Sequence, residues 1–263
     1  MLILNKIQEY FPDSFEREQL AANQLASFDA LWTLDAGWFE VPNERRGGWS
    51  GVSRYVLANG DAIFIKRQKN HVYRSWQNLF LPVATFEREF KNILHFQKLA
   101  IPTMTLVYFG QRRINGDLQS ILITRELKDF QALDAEDYQP INKLSQSSRK
   151  SVIQAAANAI RHMHDCKIQH NCLYLKHVFI KIVDDRQVDV RFIDLEKAKW
   201  RPWKNLAMFR DLASLLRHAE GWSKTDCLRF FLCYNQQRRL SKASKQSLTN
   251  ILQQIEHKNN HGK

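Results

Sequence analysis

Residues 160–196 constrain the fold of this chain more than any other stretch. They begin with the end of a helix and continue into a polar segment at 170–177. Two short β-branched runs follow, 178–183 and 188–193, and the sequence DDRQ between them predicts a β-hairpin. Asp194 follows the second run directly. The stretch therefore predicts a helix, a polar loop and a hairpin that ends in an acidic residue.

This order of elements is the one with which the protein-kinase fold builds its catalytic loop and its magnesium-binding aspartate. The kinase loop has the spacing H-x-D-L-x-x-x-N, and His170 and Leu173 stand at its first and fourth positions. Cys172 replaces the aspartate and His177 replaces the asparagine. In such a loop the histidine braces the backbone, and we favour this role for His170 over that of a catalytic base. The loop is kinase-like but altered at its reacting positions.

Length and composition favour one large domain or two packed lobes. The chain has 263 residues, of which 44% are hydrophobic, and this is enough for a substantial core. No run of about 18 apolar residues is present, and the N-terminus lacks a basic lead and a small-residue cleavage site, so we expect a cytoplasmic protein. The four cysteines lack zinc-ligand spacing and are expected to be reduced thiols: Cys166, Cys172, Cys227 and Cys233.

The positive charge is concentrated near the C-terminus. The net charge is +12, and residues 197–263 alone contain 14 lysines and arginines against 4 acidic residues. A field of this sign attracts anionic partners such as phospholipid, phosphorylated glycolipid or nucleic acid. A solvated helical surface without any partner is an equally acceptable interpretation.

A glycine cluster at 45–57 leads into an alternating strand. Glycines let backbone N–H groups approach a phosphate, and a following valine could cover an adenine. The candidate nucleotide-binding residues here are Gly47, Gly48, Gly51 and Val52. Alone, such a cluster is more often a tight hairpin. However, the Asn-Gly turn at 59–60 and the strand at 62–66 complete the order of the first three kinase strands. Lys66 would then contact the α- and β-phosphates of ATP.

The next segments predict a helix and two more strands. The apolar spacing at 84–96 indicates a helix, on which Glu89 is the preferred partner of Lys66 and Glu87 the alternative. Strands at 105–109 and 118–124 would complete a five-stranded sheet with one helix. The polar link at Glu126 would be the hinge whose backbone groups bind adenine. Before the glycine cluster, the sequence predicts a helix over 14–28 and an extended segment over 31–42, without a readable function.

Six segments in this order resemble the lipopolysaccharide kinase family, bacterial enzymes that phosphorylate heptose or Kdo sugars of the lipopolysaccharide inner core. They are RRGGWSGVSRYVL, FIKRQKNH, FEREF, AIPTM, HNCLYLKHVFI and FIDLEKAK, and the likeness is greatest to the InaA-type branch. The resemblance covers residues 45–218. It implies an α+β, bilobal, protein-kinase-like fold, with a small antiparallel-sheet lobe carrying one helix (1–126) and a larger, mostly helical lobe (127–263). It also implies ATP with magnesium, and work at the cytoplasmic face of the inner membrane.

The resemblance assigns roles to single residues. Lys66 and Glu89 match the ATP-anchoring pair of the family, and Asp194 matches its metal-binding acid. His177 matches a histidine of this family, and an imidazole can ligate a metal or donate to a phosphate. Cys172 stands where active members have the aspartate that accepts the proton of the sugar hydroxyl. A protonated thiol is a poor substitute for that carboxylate.

Two functions therefore stay open. Phosphoryl transfer depends mainly on positioning and charge neutralisation, so a kinase could work without the aspartate. A general base still contributes roughly 10²- to 10⁴-fold, so the chain could instead be a pseudokinase that binds nucleotide or partners in envelope stress or regulation. Glu196 could supply the missing carboxylate, although an exposed turn acid is the more ordinary interpretation. Asp211 resembles the aspartate that holds the backbone of the catalytic loop in the kinase fold.

The segment KAKWRPWK at 197–204 interleaves cations with tryptophans. This composition suits an anionic membrane interface, where indoles lie at headgroup depth. It could also stack on single-stranded nucleic acid or pack into the core as an activation segment. Nucleic-acid binding is disfavoured because no recognised motif is present. The remaining sequence predicts a helix beginning at Arg210 and further helices at 226–234 and 242–257.

Overall fold

The computed structural model describes residues 8–45, 47–73, 82–134, 144–184, 187–219 and 221–261. The chain divides into two compact units, which we call the sheet unit (Met1–Leu94 and Met104–Leu127) and the helical unit (His95–Thr103 and Lys128–Lys263). Residues 95–103 thus belong to the helical unit, although they precede the last two strands of the sheet unit. Among the described residues, no helix has the length and apolar character needed to cross a membrane.

The sheet unit is built on antiparallel strands. Its described strands are β1 (Gln8–Tyr10), β2 (Glu40–Arg45), β3 (Gly48–Val56), β4 (Ala62–Lys69), β5 (Val72–Tyr73), β6 (Val83–Ala84), β7 (Leu106–Ile114) and β8 (Asp117–Arg125). Its helices are α1 (Ser14–Ala22), α2 (Phe28–Thr33) and α3 (Thr85–Lys98), the last of which continues into the helical unit. Six strands form one sheet in the order β1-β7-β8-β4-β3-β2, and β5 pairs with β6. The predicted strand–turn–strand order around the glycine cluster is therefore present.

Strand β4 separates an apolar surface from a polar one. Because successive side chains of a strand point to opposite faces, Ile63 and Ile65 lie on one face while Phe64 and Lys66 lie on the other. Ile63 and Ile65 are completely buried in a cluster to which α1, α2 and the neighbouring strands contribute, including Leu20, Leu25, Phe28, Leu31, Val107, Ile121 and Ile123. The N-terminal helices therefore cover the face of the sheet opposite to Lys66.

Arg67 ties the N-terminal segment to this covered face. Its guanidinium donates hydrogen bonds to the carbonyl oxygens of Trp32 (3.0 Å) and Leu34 (2.7 Å). It also donates to Ser53 Oγ (3.1 Å) and lies 4.8 Å from the ring centroid of Trp38. Burial lowers the pKa of Arg67 from its usual value. A buried cation at Arg67 is not expected from the sequence. The carbonyl oxygens, the hydroxyl group and the ring face that it contacts replace the hydration that it loses on burial.

The structure corrects the prediction for residues 14–42. The helix expected over 14–28 is shorter, since α1 ends at Ala22 and Gln24 adopts the left-handed conformation (φ +60°). Helix α2 then begins after Ser27, whose hydroxyl accepts a hydrogen bond from the N–H of Ala30 (3.2 Å). The prediction of extended chain over 31–42 is wrong for its first three residues, which are helical.

The strand and helix counts also differ from the prediction. The sheet contains six strands rather than five, and the described part of the unit has three helices, of which α2 was not predicted. Strand β1 has only three residues and all of them are exposed, so it carries no hydrophobic periodicity that sequence analysis could detect.

The helical unit contains residues 160–196, for which the sequence predicted a loop and a hairpin. Its described helices are α4 (Gln146–Asp165), α5 (Lys204–Arg217), α6 (Lys224–Tyr234) and α7 (Lys242–His261), and its strands are β9 (Gln131–Ala132), β10 (Ile168–Gln169), β11 (Val178–Ile182), β12 (Val188–Phe192) and β13 (Lys199–Trp200). The predicted hairpin is confirmed as β11 and β12, although residues 185 and 186 of its turn lie outside the described residues. Helix α5 begins earlier than the predicted start at Arg210. The sheet-rich first unit and helical second unit confirm the predicted α+β class.

Helix α1 is attached to the sheet by an ion pair that can be tested. Arg125 donates to both carboxylate oxygens of the buried Glu16 (2.7 and 2.8 Å) and also to Asp61 (3.0 Å). We expect Glu16→Ala to lower the free energy of unfolding by about 2 kcal/mol, because Arg125 loses its main partner but keeps Asp61. Urea unfolding measures this effect. Glu18→Ala, an exposed change on the same helix, is the control and should alter stability by less than about 0.5 kcal/mol; equal effects would contradict the assignment.

Candidate functional site

Lys66 and Glu89 form an ion pair in the sheet unit. Lys66 lies on β4, and its Nζ is 2.7 Å from Glu89 Oε1 on α3. The Glu89 side chain is only 2% exposed, so its charge depends on this lysine for compensation. Glu87, the alternative partner, instead pairs with Lys91 one turn further along the helix. The preferred of the two predicted pairings is therefore present.

Among the described glycines of the cluster, Gly47 directly precedes β3, and Gly48 and Gly51 lie in its first half. Gly47 has φ +75°, a conformation that glycine adopts without strain. A Cβ atom on Gly48 would lie 2.5 Å from the carbonyl oxygen of Asn70, and one on Gly51 would lie 2.5 Å from the ring of Trp38. Each glycine thus has a local structural reason. Their contact with nucleotide phosphates stays a prediction.

Val52 and Glu126 are two further predicted nucleotide-binding residues, and both are half-buried. Val52 is directly opposite Lys66 in the β3–β4 pairing, so both side chains point to the same face of the sheet. Glu126 follows β8, and its N–H donates to the carbonyl oxygen of Ala62 (2.9 Å) while its carboxylate accepts two hydrogen bonds from Arg54 (2.6 and 2.8 Å). The prediction that this link binds adenine therefore cannot rest on the N–H of Glu126.

In the helical unit, the carboxylate of Asp211 holds the loop that precedes the hairpin. One oxygen accepts from the backbone N–H of His170 (2.7 Å) and the other from that of Asn171 (2.9 Å). The first oxygen also lies 3.2 Å from His164 Nε2 on α4. Asp211 is 1% exposed, and the expected bracing contacts are all present. His164 was not predicted as a site residue, and its other ring nitrogen lies 3.0 Å from the hydroxyl of Tyr234.

His170 connects this loop to the end of the hairpin. Its ring is completely buried, and Nε2 lies 3.0 Å from the carbonyl oxygen of Ile193. Because a carbonyl only accepts, Nε2 carries the proton. Burial lowers the pKa of His170, which keeps the ring neutral. These contacts give His170 a bracing geometry, with its ring fixed against the residue that precedes Asp194.

His177 and Asp194 lie together at the end of the hairpin. His177 Nδ1 is 2.7 Å from the carbonyl oxygen of Cys172 and must donate to it. His177 Nε2 is 3.4 Å from Asp194 Oδ2. Asp194 adopts a left-handed conformation (φ 56°, ψ 56°), and its side chain is 41% exposed. Nε2 of His177 therefore faces the carboxylate of Asp194.

The predicted magnesium site is only partly matched by these groups. Mg²⁺ prefers oxygen ligands and is commonly held by one or two carboxylates together with substrate phosphates. The exposed carboxylate of Asp194 fits that description, whereas an imidazole nitrogen is better suited to other metals or to a hydrogen bond. No cluster of three or more histidine, cysteine or acidic side chains that could hold a metal occurs among the described residues. Magnesium binding stays a prediction centred on Asp194.

Cys172 is buried in the bend of the same loop and is 8% exposed. Burial raises the pKa of its thiol, and the nearby carboxylates of Asp194 and Glu196 act in the same direction. Lys197 opposes them through a hydrogen bond and its charge, but the pKa remains raised. The thiol is therefore protonated at neutral pH. Among the groups that shift this pKa, Lys197 is the cation that forms a hydrogen bond with the thiol.

A solved structure identifies the class of fold. The structure of WaaP in complex with acyl carrier protein matches 95% of this chain and 97% of that chain, with a TM-score of 0.67 and 22% sequence identity. At this identity the match shows the fold alone, and it confirms the predicted kinase-like fold.

The family follows from the sequence. The sequence model described as "Lipopolysaccharide kinase (Kdo/WaaP) family" matches residues 29–234, and the chain belongs to this family. Protein InaA of Escherichia coli K12 is 28% identical over 200 residues, which cover 76% of this chain and 91% of that protein. The lipopolysaccharide core heptose(I) kinase WaaP of Escherichia coli is 24% identical over 225 residues, which cover 79% of this chain and 80% of the kinase. The predicted resemblance is confirmed.

The bracing carboxylate can be tested by a nearly isosteric change. We expect Asp211→Asn to lower the free energy of unfolding by about 2 kcal/mol, because one of two charge-assisted acceptors becomes an amide group that cannot accept. Amide hydrogen exchange at His170 and Asn171 should accelerate in parallel. Asp165→Asn is the control, since Asp165 is exposed and makes surface pairs with Lys204 and Arg161. Unchanged exchange at the two loop amides in Asp211→Asn would contradict the bracing role.

Proposed function

We propose that the chain is an ATP-dependent kinase that phosphorylates a sugar, heptose or Kdo, of the lipopolysaccharide inner core at the cytoplasmic membrane face. Family membership supports the general activity. The observation that carries the proposal is the ion pair between Lys66 and the buried Glu89. Burying a carboxylate is costly unless a partner compensates it, and in the kinase fold this pair directs the lysine to nucleotide phosphates.

The other site residues have roles that fit this activity. Asp194 would hold the magnesium that accompanies ATP, and this ion would supply neutralisation of the charge on the transferred phosphoryl group. His170 and Asp211 fix the loop on which Cys172 lies. His177 keeps its Nε2 directed at Asp194 by donating its other N–H to the backbone of that loop. Together these contacts hold the loop at a fixed distance from the end of the hairpin.

Cys172 limits how the sugar hydroxyl can lose its proton. A protonated, buried thiol is a poor acceptor, so a kinase with this residue relies on positioning and charge neutralisation. We therefore propose a slow enzyme, lacking the roughly 10²- to 10⁴-fold contribution of a general base. Cys172 also favours a second candidate, a catalytically impaired pseudokinase that binds nucleotide or partners in envelope stress or regulation.

We also propose that residues 197–204 contact an anionic membrane. The side chains of Trp200 and Trp203 are 59% and 69% exposed, which contradicts the alternative that this segment packs into the core. Arg201 and Lys204 bond to Gln169 and Asp165, so the segment is held in place while its indoles remain exposed. Indoles favour the headgroup region of a bilayer, and the basic C-terminal quarter would add electrostatic attraction.

Phosphate transfer distinguishes the two candidate functions. Labelled γ-phosphate would be followed from Mg-ATP to purified inner-core lipopolysaccharide. We expect slow transfer by the unchanged protein, loss in Lys66→Ala, and at least a tenfold increase in Cys172→Asp, because the new carboxylate can accept a proton and has Lys197 beside it. Lys91→Ala removes an exposed lysine that pairs with Glu87 and is the control for Lys66.

Three results would change this assignment. No transfer by the unchanged protein together with transfer by Cys172→Asp would establish the pseudokinase alternative. Transfer that persists in Lys66→Ala would contradict the role of the ion pair. An equal loss in Lys91→Ala would show that the effect of Lys66 is not specific.

Membrane contact has its own measurement. We expect the double change Trp200→Ala and Trp203→Ala to weaken binding to vesicles of anionic phospholipid by about tenfold or more, because two large apolar side chains lose their burial in the interface. Vesicle flotation at several salt concentrations measures this, and Leu252→Ala on α7 is a control that removes another exposed apolar side chain. Retention on single-stranded RNA or DNA in place of vesicles would contradict the membrane proposal.

A further inference from the structure

The helical unit contains a polar pocket of about 380 Å³. One wall is the loop that Asp211 braces, represented by Asn171 and Tyr174. The other walls are α5, with Arg210 and Arg217, and α7, with Lys258. The pocket lies wholly within one unit and does not include Lys66, Asp194 or His177. Its volume is within the range of pockets that bind small molecules.

The pocket is electropositive. Three of its lining side chains are cationic, and its single acidic residue is Asp211. Both oxygens of that carboxylate already accept hydrogen bonds from the loop backbone. Within the described part of the chain, Arg210 and Lys258 form no ion pair, and Arg217 bonds to the neutral acceptor Nε2 of His218. Asp211 therefore offsets only one of the three positive charges, and the pocket keeps a net positive charge.

The chemistry of the lining selects an anionic, hydroxylated ligand. Guanidinium groups bind phosphate and carboxylate oxygens in a fixed fork geometry, and an ammonium group adds a compact charge. The uncharged polar side chains of the lining can bond to hydroxyl groups: Gln169, Asn171, Tyr174, Ser214 and Gln254. A monosaccharide that carries a phosphate or a carboxylate combines both kinds of group.

The position of the pocket connects it to the reaction. Asn171 and Tyr174 line it, and Cys172 and Leu173 lie between them on the same loop. The loop is held by Asp211, so a ligand bound against Asn171 and Tyr174 has a fixed relation to Cys172. We propose that this pocket binds an anionic substituent of the acceptor, a phosphate or carboxylate on a sugar next to the one that is phosphorylated. This inference rests on the proposed kinase function for its biological meaning, but the binding itself does not require activity.

Direct binding tests the pocket. Isothermal titration calorimetry with glucose 6-phosphate, glucose, inorganic phosphate and ADP would be carried out on the full chain. We expect binding of glucose 6-phosphate that glucose does not reproduce, and a loss of about tenfold or more in Arg210→Gln and in Lys258→Gln, as charge-assisted hydrogen bonds are removed. Lys245→Gln is the matched control, because it removes an exposed lysine from the same helix α7 without altering the lining.

The outcomes separate this inference from the proposed function. Equal weakening by Lys245→Gln, or unchanged affinity in both pocket variants, would overturn the pocket. Binding of inorganic phosphate as tight as that of glucose 6-phosphate would reduce it to a site for free phosphate and also overturn the acceptor assignment. Loss of ADP binding in the same variants would assign the pocket to the nucleotide instead.

Kinetics provides the second measurement. If transfer to lipopolysaccharide is detected, the two pocket variants should raise KM for the acceptor about tenfold and leave KM for ATP unchanged. Unchanged acceptor KM would overturn the pocket while the kinase function stands. If no transfer is detected but glucose 6-phosphate binds with the expected variant pattern, the kinase function fails and the anion pocket stands.

Discussion

The conformation of the loop at residues 170–177 depends on hydrogen bonds to the carboxylate of Asp211. This carboxylate fixes two consecutive backbone N–H groups, those of His170 and Asn171. His170 then bonds across to Ile193, the residue before Asp194. His177 returns to the backbone of Cys172. Helix α5, the loop and the end of the hairpin are therefore joined through side-chain to backbone bonds, and a change in one of them would move the others.

The sheet unit follows a different principle, the alternation of side chains along β4. One face is apolar and is covered by N-terminal helices, whereas the other presents Lys66 to Glu89 on α3. The same strand thus provides hydrophobic stability on one side and a charged pair on the other. Because Glu89 is buried, replacement of either residue of the pair would lower the stability of the sheet unit, since a lone buried charge is far more costly than a solvated one.

Much of this arrangement could be predicted from sequence because its signals are local. The hairpin has two β-branched runs, and the loop has a recognisable spacing from His170 to His177. The break between α1 and α2 could not be predicted, since Gln24 has no preference for the left-handed conformation that it adopts. The pocket was also missed, because Lys258 is far along the chain from Asn171 and only tertiary packing brings them together.

The buried guanidinium of Arg67 makes the N-terminal segment necessary for the stability of the sheet unit. Arg67 is adjacent to Lys66 and directs its donors to the backbone of Trp32 and Leu34, so the N-terminal segment is part of the same cooperative unit as Lys66. A shortened chain beginning at the glycine cluster would expose Ile63 and Ile65, and Arg67 would lose its contacts with Trp32, Leu34 and Trp38 and keep only Ser53. Such a fragment would be prone to aggregation. Removal of the N-terminal segment therefore does not produce a smaller stable domain.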